Sequence, residues 1–277
     1  MAIPERSAAH PPPCAELSFG IQAGGAHLQA KTILPPGTGL TGPGPTLVFL
    51  HEGLGSITQW RSFPLALARA TGLPVLLYDR HGHGRSAPRT GPPDPGYLAR
   101  EACECLPEVL ATVGIEAPIL VGHSDGATIA LLYAARFPHS PLAVVAEAGH
   151  VFVEALTLQG IWRTLRAYET TQLRDQLARH HGAAVDAMFR TWCEVWLSPP
   201  FRDWNMLDQL PAILCPVLVV QGEADPYGTL DQVQAIFTGV SGPVQGLVLP
   251  CGHVPHLEAV ADTLDGITRF LHSLDVA

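Results

Sequence analysis

The stretch Val121-Gly122-His123-Ser124-Asp125-Gly126 constrains this chain more than any other. The pattern Gly-x-Ser-x-Gly is common by itself, and its flanks give it weight. Residues 117–121 form a short apolar run of the kind expected for a buried strand, and residues 127–136 have the composition of a helix. A serine on a sharp strand-to-helix turn stands above the edge of a sheet with its Oγ exposed, and glycines two residues to either side let neighbouring backbone pass. Ser124 is therefore the candidate nucleophile.

The text around this turn alternates strand and helix. Residues 15–22 and 26–34 show the apolar alternation of a hairpin. The continuous apolar runs 46–50, 74–78, 142–146, 216–220 and 246–249 suit strands buried on both faces of a mostly parallel sheet. Helices are expected over 56–70, 97–113, 230–237 and 256–274, the second kinked or split by Pro107. From about His150 to Leu210 the strand rhythm stops and four tryptophans fall close together (Trp162, Trp192, Trp196, Trp204), as in an inserted helical lid. The expected organisation is a disordered segment over 1–13, a core formed by 14–149 and 211–277, and a helical cap over 150–210. A chain of 277 residues accommodates this as one elaborated α/β domain.

Sixteen basic residues stand against 25 acidic, a formal charge of -9 with no Lys/Arg cluster, which argues against nucleic acid and anionic lipid as partners. The N-terminus has no apolar signal-like region and no stretch is long enough to span a membrane, so a cytoplasmic protein with a small-molecule partner is expected. Oligomeric state is not legible. The six cysteines lie far apart without a Cys-x-x-Cys pair, and neither a zinc site nor a disulfide framework is expected. No cofactor is expected.

A hydroxyl of ordinary pKa is a weak nucleophile, so Ser124 needs a base, and the base an orienting acid. In this context the order along the chain is Ser, then Asp or Glu, then His. Asp225 follows the 217–220 strand and His253 follows the last strand, so all three fall at the C-terminal ends of sheet strands, where sites of open α/β sheets collect. Asp225 is preferred to Glu223 as the residue nearer the loop apex, and His253 to His256, which is expected to be a cap or surface residue. Donors for a developing oxyanion are expected from the Asp125 N–H and from the N–H of Gly53 or Glu52 in the loop after the 46–50 strand. His51 and the segment 79–86, with its two histidines, read as structural. The side chain of Asp125 calls for a partner: an internal donor such as a nearby arginine, or a cationic group on the substrate. Asp125, Trp192 and Trp196 are the candidate substrate-binding residues.

These motifs resemble the α/β-hydrolase fold superfamily over about residues 15–275. His51-Glu52-Gly53 stands at its oxyanion loop, 79–86 at its Asp-x-x-Gly-x-Gly-x-Ser turn, Gly122–Gly126 at its nucleophile elbow, 210–225 at its acid segment and 252–256 at its histidine loop. Elbow and lid are most similar to biphenyl-hydrolase-like and related small esterases. The resemblance implies a serine hydrolase of small carboxylic esters working through an acyl-enzyme. A C–C bond hydrolase of ring-fission products, a thioesterase and an amino-acid ester hydrolase are alternatives on the same residues, and a ligand-binding protein without turnover is the alternative of a different class. Two departures stand out: Glu52 occupies the second glycine position of the oxyanion loop, and Pro226 follows the acid directly.

Overall fold

The computed structural model describes residues 13–274; the first twelve residues of the expected N-terminal disordered segment lie outside them. Eight strands form one sheet in the order β1-β2-β4-β3-β5-β6-β7-β8. The hairpin β1 (Ala15–Ala23) and β2 (Ala26–Leu34) opens the fold, and β2 pairs antiparallel with β4 (Val75–Tyr78). The remaining pairs are parallel, through β3 (Gly42–Leu50), β5 (Ile115–His123), β6 (Ala143–Glu147), β7 (Val217–Gly222) and β8 (Val244–Leu249).

Successive residues of a strand point to opposite faces, and the central strands feed a core on each side. Leu47 and Phe49 of β3 with Ile119 and Val121 of β5 pack under α1 (Phe63–Thr71) and α11 (Val260–Ser273). Val48, Leu50 and Leu120 face the other layer, with α3 (Leu106–Val113), α4 (Asp125–Arg136) and α9 (Leu230–Gly239). In α4, ten consecutive residues from Asp125 to Ala134 are buried, which is why its sequence is apolar all round rather than striped.

Pro107 acts as expected for a residue that lacks an N–H and whose ring crowds the preceding turn. The helical stretch begins as α2 (Tyr97–Arg100) and widens into a π-type turn over Glu101–Cys105, and α3 restarts with Pro107 in its first turn. The last helix is likewise divided, into α10 (Pro255–Glu258) and α11. The chain between β6 and β7 is helical, with α5 (Ala155–Thr170), α6 (Leu173–His181), α7 (Val185–Trp196) and α8 (Pro199–Arg202). Among the described residues no helix is long and apolar enough to cross a membrane.

Strand order reverses between β3 and β5, since β4 lies to one side of β3 and β5 to the other. The loops leaving these two strands therefore open a crevice at the C-terminal edge of the sheet. With Leu50 beside Gly122 in the register, residues 51–53 emerge next to residues 123–125.

Candidate active site

Ser124 occupies the turn between β5 and α4 at φ 52° and ψ -116°, a conformation that a residue with a side chain holds only when its surroundings enforce it. They do so by close packing. A Cβ at position 122 would overlap the Gly126 carbonyl, and one at 126 would overlap the carbonyl of Leu50. The two glycines let the elbow close this tightly, and the Ser124 N–H is tied to the Glu147 carbonyl at 2.8 Å.

Asp225 is buried in the turn after β7, whereas its neighbour Glu223 is exposed. Its carboxylate accepts from the Gln221 side-chain amide at 2.8 Å, from the Tyr227 backbone N–H at 2.8 Å, and from Nδ1 of His253 at 2.9 and 2.8 Å. Pro226 sits inside the turn that the Tyr227 N–H closes, so the residue that departed from the family pattern belongs to the acid's support. Burial alone would push the Asp225 carboxyl up, and the hydrogen bond and charge of His253 more than offset this, holding it below its ordinary value. Ser124 and His253 line one cavity of about 510 Å³. Among the described residues no hydrogen bond joins them at rest, and such bonds commonly tighten only with substrate in place.

Residues 51–54 are held through their carbonyls. Arg80 Nη2 donates to the carbonyls of His51 and Glu52 at 3.3 and 2.8 Å, His51 Nδ1 to that of Glu52 at 2.8 Å, His83 Nε2 to that of Gly53 at 3.0 Å, and His181 Nε2 to that of Leu54 at 2.9 Å. Fixing the carbonyls fixes the peptide planes. The amides of Gly53 and Asp125 take no backbone partner outside the helices and strands among the described residues. His51 and His83 thus have structural tasks, and burial drives both rings well below the ordinary histidine pKa. Asp79, another member of the expected turn, accepts from the Ile57 and Arg85 N–H groups at 2.7 and 2.9 Å.

Glu52 turns its side chain beneath the loop. Its carboxylate lies against Gly55, where a Cβ would collide with it, and 3.6 Å from Nδ1 of His123. Asp125 is also internally partnered: its Oδ2 accepts from the Tyr97 hydroxyl at 2.6 Å and lies 3.6 Å from Arg80 Nη2. Burial still pushes the Asp125 carboxyl up, with Arg80 and Tyr97 opposing.

The tryptophans divide by role. Trp196 is buried and donates from Nε1 to the Tyr97 hydroxyl at 2.9 Å, extending the chain Trp196–Tyr97–Asp125. Trp192 stands against Gly53 and belongs to the walls of both this cavity and a second one of about 500 Å³ beside Arg80 and Tyr97. Trp162 is 59% exposed, and Trp204 stacks on Phe201; neither lines the cavity.

His256 corrects an expectation. It is neither a surface residue nor a cap but is 3% exposed, its N–H and Nδ1 both 2.8 Å from Glu147 Oε1. A histidine two residues into a short helix gives no sign in sequence of a carboxylate 109 positions away. His150 and Tyr227 were also missed. The Tyr227 ring lies 4.6 Å and the His150 ring 6.2 Å from that of His253, and burial lowers His150 to about 4, so it is neutral at pH 7. The position of His150 just past the end of β6 was the available signal. Among the described residues no group of three or more His, Cys, Asp or Glu is placed to hold a metal ion.

A serine on a strained elbow at the wall of a cavity, a buried aspartate bonded to a half-buried histidine and an amide-bearing loop at one edge of a parallel sheet define the class of α/β proteins whose site lies at the strand ends. The sequence matches the alpha/beta hydrolase fold family over residues 45–207, and the chain belongs to that family. It is similar to the human serine hydrolase BPHL, 28% identical over 232 residues that cover 80% of this chain and 71% of that protein. It is 38% identical over 94 residues to a mouse protein, the sn-1-specific diacylglycerol lipase ABHD11, a match covering 34% of this chain and only 29% of the lipase. In structure it resembles the 2-hydroxy-6-oxo-6-phenylhexa-2,4-dienoate hydrolase of Rhodococcus sp. strain RHA1, with a TM-score of 0.78 over 95% of this chain and all of that one at 18% identity, a likeness of fold. Relatives in this family are thus named as hydrolases and lipases.

Proposed function

We propose that the chain is a serine hydrolase of small carboxylic esters. The observation that carries this reading is that His253, held by the hydrogen-bonded carboxylate of Asp225, lines one cavity with Ser124. Ser124 Oγ attacks the ester carbonyl carbon while His253 Nε2 takes its proton, Nδ1–H being engaged by Asp225. The oxyanion accepts from the Asp125 N–H and from that of Gly53 or Glu52. Collapse expels the alcohol, which leaves with the proton from His253. A water then gives a proton to His253 and attacks the acyl carbon, and the second tetrahedral intermediate collapses with Ser124 Oγ leaving as it takes that proton from His253, which releases the carboxylic acid.

Residues 150–210 act as a lid, supplying Ile161, Leu177, Trp192 and Trp196 to the cavity wall. This largely apolar wall supports a neutral acyl or alcohol group. The internal partners of Asp125 support a structural role for its side chain, and with it a neutral ester over an amino-acid ester.

A fluorophosphonate probe followed by peptide mapping tests the mechanism. Stoichiometric labelling of Ser124 is expected, and wild-type protein that stays unlabelled while folded would rule the mechanism out. A panel of an activated ester, a vinylogous diketone and an acyl-CoA then separates the ester reading from C–C hydrolysis and thioester hydrolysis; the ester is expected to turn over fastest.

A further inference from the structure

We propose that the half-buried Glu52 and the buried His123 form a carboxylate–imidazolium strut that positions the oxyanion loop and the His253 loop on the nucleophile elbow. The inference rests on the serine-hydrolase reading above and concerns how that site is held together.

His123 is the last residue of β5, 1% exposed, directly before Ser124. Its two ring nitrogens face acceptors. Nε2 lies 2.7 Å from the backbone carbonyl of His253, and Nδ1 lies 3.6 Å from Oε2 of Glu52. The second separation is that of an ion pair, longer than a hydrogen bond. A neutral imidazole presents one N–H and one lone pair, so one of these nitrogens would set a lone pair against oxygen. Only the imidazolium offers N–H on both sides. Gln59 Nε2 donates to the other Glu52 oxygen at 3.3 Å, as suits an ionised carboxylate.

The connection is three-way. Glu52 belongs to the loop whose amides face the oxyanion, His123 to the elbow, and the carbonyl it holds belongs to the residue that carries the base. A neutral residue at position 52 would remove the carboxylate that faces Nδ1 and leave only Glu147 to support the charge, which accounts for a glutamate where the family pattern has glycine. The other charged or titratable groups against His123 are His253 and His256, with ring centroids at 5.1 and 5.0 Å, and Glu147, which is paired with His256. Trp60 closes the remaining side at 6.2 Å.

The charges respond to pH in a defined direction. Burial works against the imidazolium, but Glu52 and Glu147 more than offset it and raise His123 from 6.5 to about 9. The strut's contribution on this side is therefore full below 6.5 and lost as pH rises through about 9. Burial would raise Glu52, but His123 lowers it from 4.5 to about 2, so on that side the contribution is full above 4.5 and lost as pH falls through about 2. The tyrosines and cysteines nearest the site, Tyr97, Tyr227 and Cys251, are raised by burial above this range, leaving His123 as the group that titrates near 9.

The test follows the rate of fluorophosphonate labelling and kcat on a 4-nitrophenyl ester from pH 6 to 10, together with side-chain ¹⁵N NMR of His123. Wild type is expected to show both His123 nitrogens protonated at pH 7.5, with labelling and kcat falling through about pH 9. Glu52→Gln keeps a group that can meet a neutral imidazole while removing the charge. It is expected to move the alkaline limb down by at least about one pH unit, with KM changing less than about twofold. A neutral His123 at pH 7.5 in wild type, which needs no variant to fold, overturns the strut, and so does an unshifted alkaline limb in Glu52→Gln. Failure of wild type to label at any pH instead overturns the hydrolase reading and takes the strut's catalytic role with it.

Discussion

His253 presents Nδ1–H to both carboxylate oxygens of Asp225, at 2.9 and 2.8 Å, and the same carboxylate is held by Gln221 and by the Tyr227 N–H. The acid is therefore immobilised before the base uses it, which gives the variants of this pair separable effects. Asp225→Asn is expected to lower kcat by roughly 10⁴ through the wrong imidazole tautomer. Gln221→Leu, which removes one donor and keeps the charge, should cost kcat about tenfold or less. Steady-state kinetics on one activated ester compares the two, and equal losses would contradict the orienting role of Asp225.

Ser124→Ala and His253→Ala should each abolish roughly 10⁴ to 10⁶ of the rate while leaving the melting temperature close to wild type, since the members of such a unit fail together. Retention of more than a tenth of wild-type esterase activity in Ser124→Ala would remove the covalent mechanism.

His256→Ala should show the reverse pattern. It leaves the buried Glu147 carboxylate without its partner, a loss of roughly 3–5 kcal/mol. Burial would raise Glu147, and His256 holds it below its ordinary value, so the pair's contribution is present above pH 4.5 and lost as pH falls through the lowered value. Denaturant unfolding at pH 7 and pH 4 should therefore show a smaller difference between variant and wild type in acid. A gap that widens in acid would contradict the assignment.

Trp192 and Trp196 should part company. Trp196→Phe removes the donor to Tyr97 from the interior and is expected to cost about 1–3 kcal/mol with uniform loss across esters. Trp192→Phe trims a wall shared by two cavities, and should change the ratio of rates between short and bulky esters more than it changes the melting temperature. Selectivity measured on a matched ester series decides this, and a uniform loss for Trp192→Phe would make it packing alone.

Asp125→Asn should reduce turnover of an ester and of its α-amino analogue by the same factor, because Tyr97 and Arg80 already engage the carboxylate. A selective loss on the amino ester would instead assign Asp125 to a cationic substrate group.

The sheet was legible because its periodicities are local. Hairpin alternation at 15–34, the doubly buried runs of β3 and β5, and the helical insertion before β7 all follow from which neighbours in sequence must be covered. The glycine-framed serine, and the placement of Asp225 and His253 just past strand ends, belong to the same level: a turn type needs its residues adjacent, and strand ends in one parallel sheet share an edge.

Tertiary structure alone decided what lies beneath that edge. His256 looked like a helix-start residue, and only the approach of β6 shows its carboxylate partner. Glu52 looked like a departure from a glycine pattern, and only the register of β3 beside β5 places it against His123, whose other ring nitrogen meets the His253 carbonyl. Asp125 had two possible partners until Arg80 and Tyr97 arrived from the loop after β4 and from α2. The physical reason is common to all three. A charge leaves no local pattern, because its partner is set by burial and distance between segments far apart in the chain, and in a low-dielectric interior that partner decides the protonation state as well as the position.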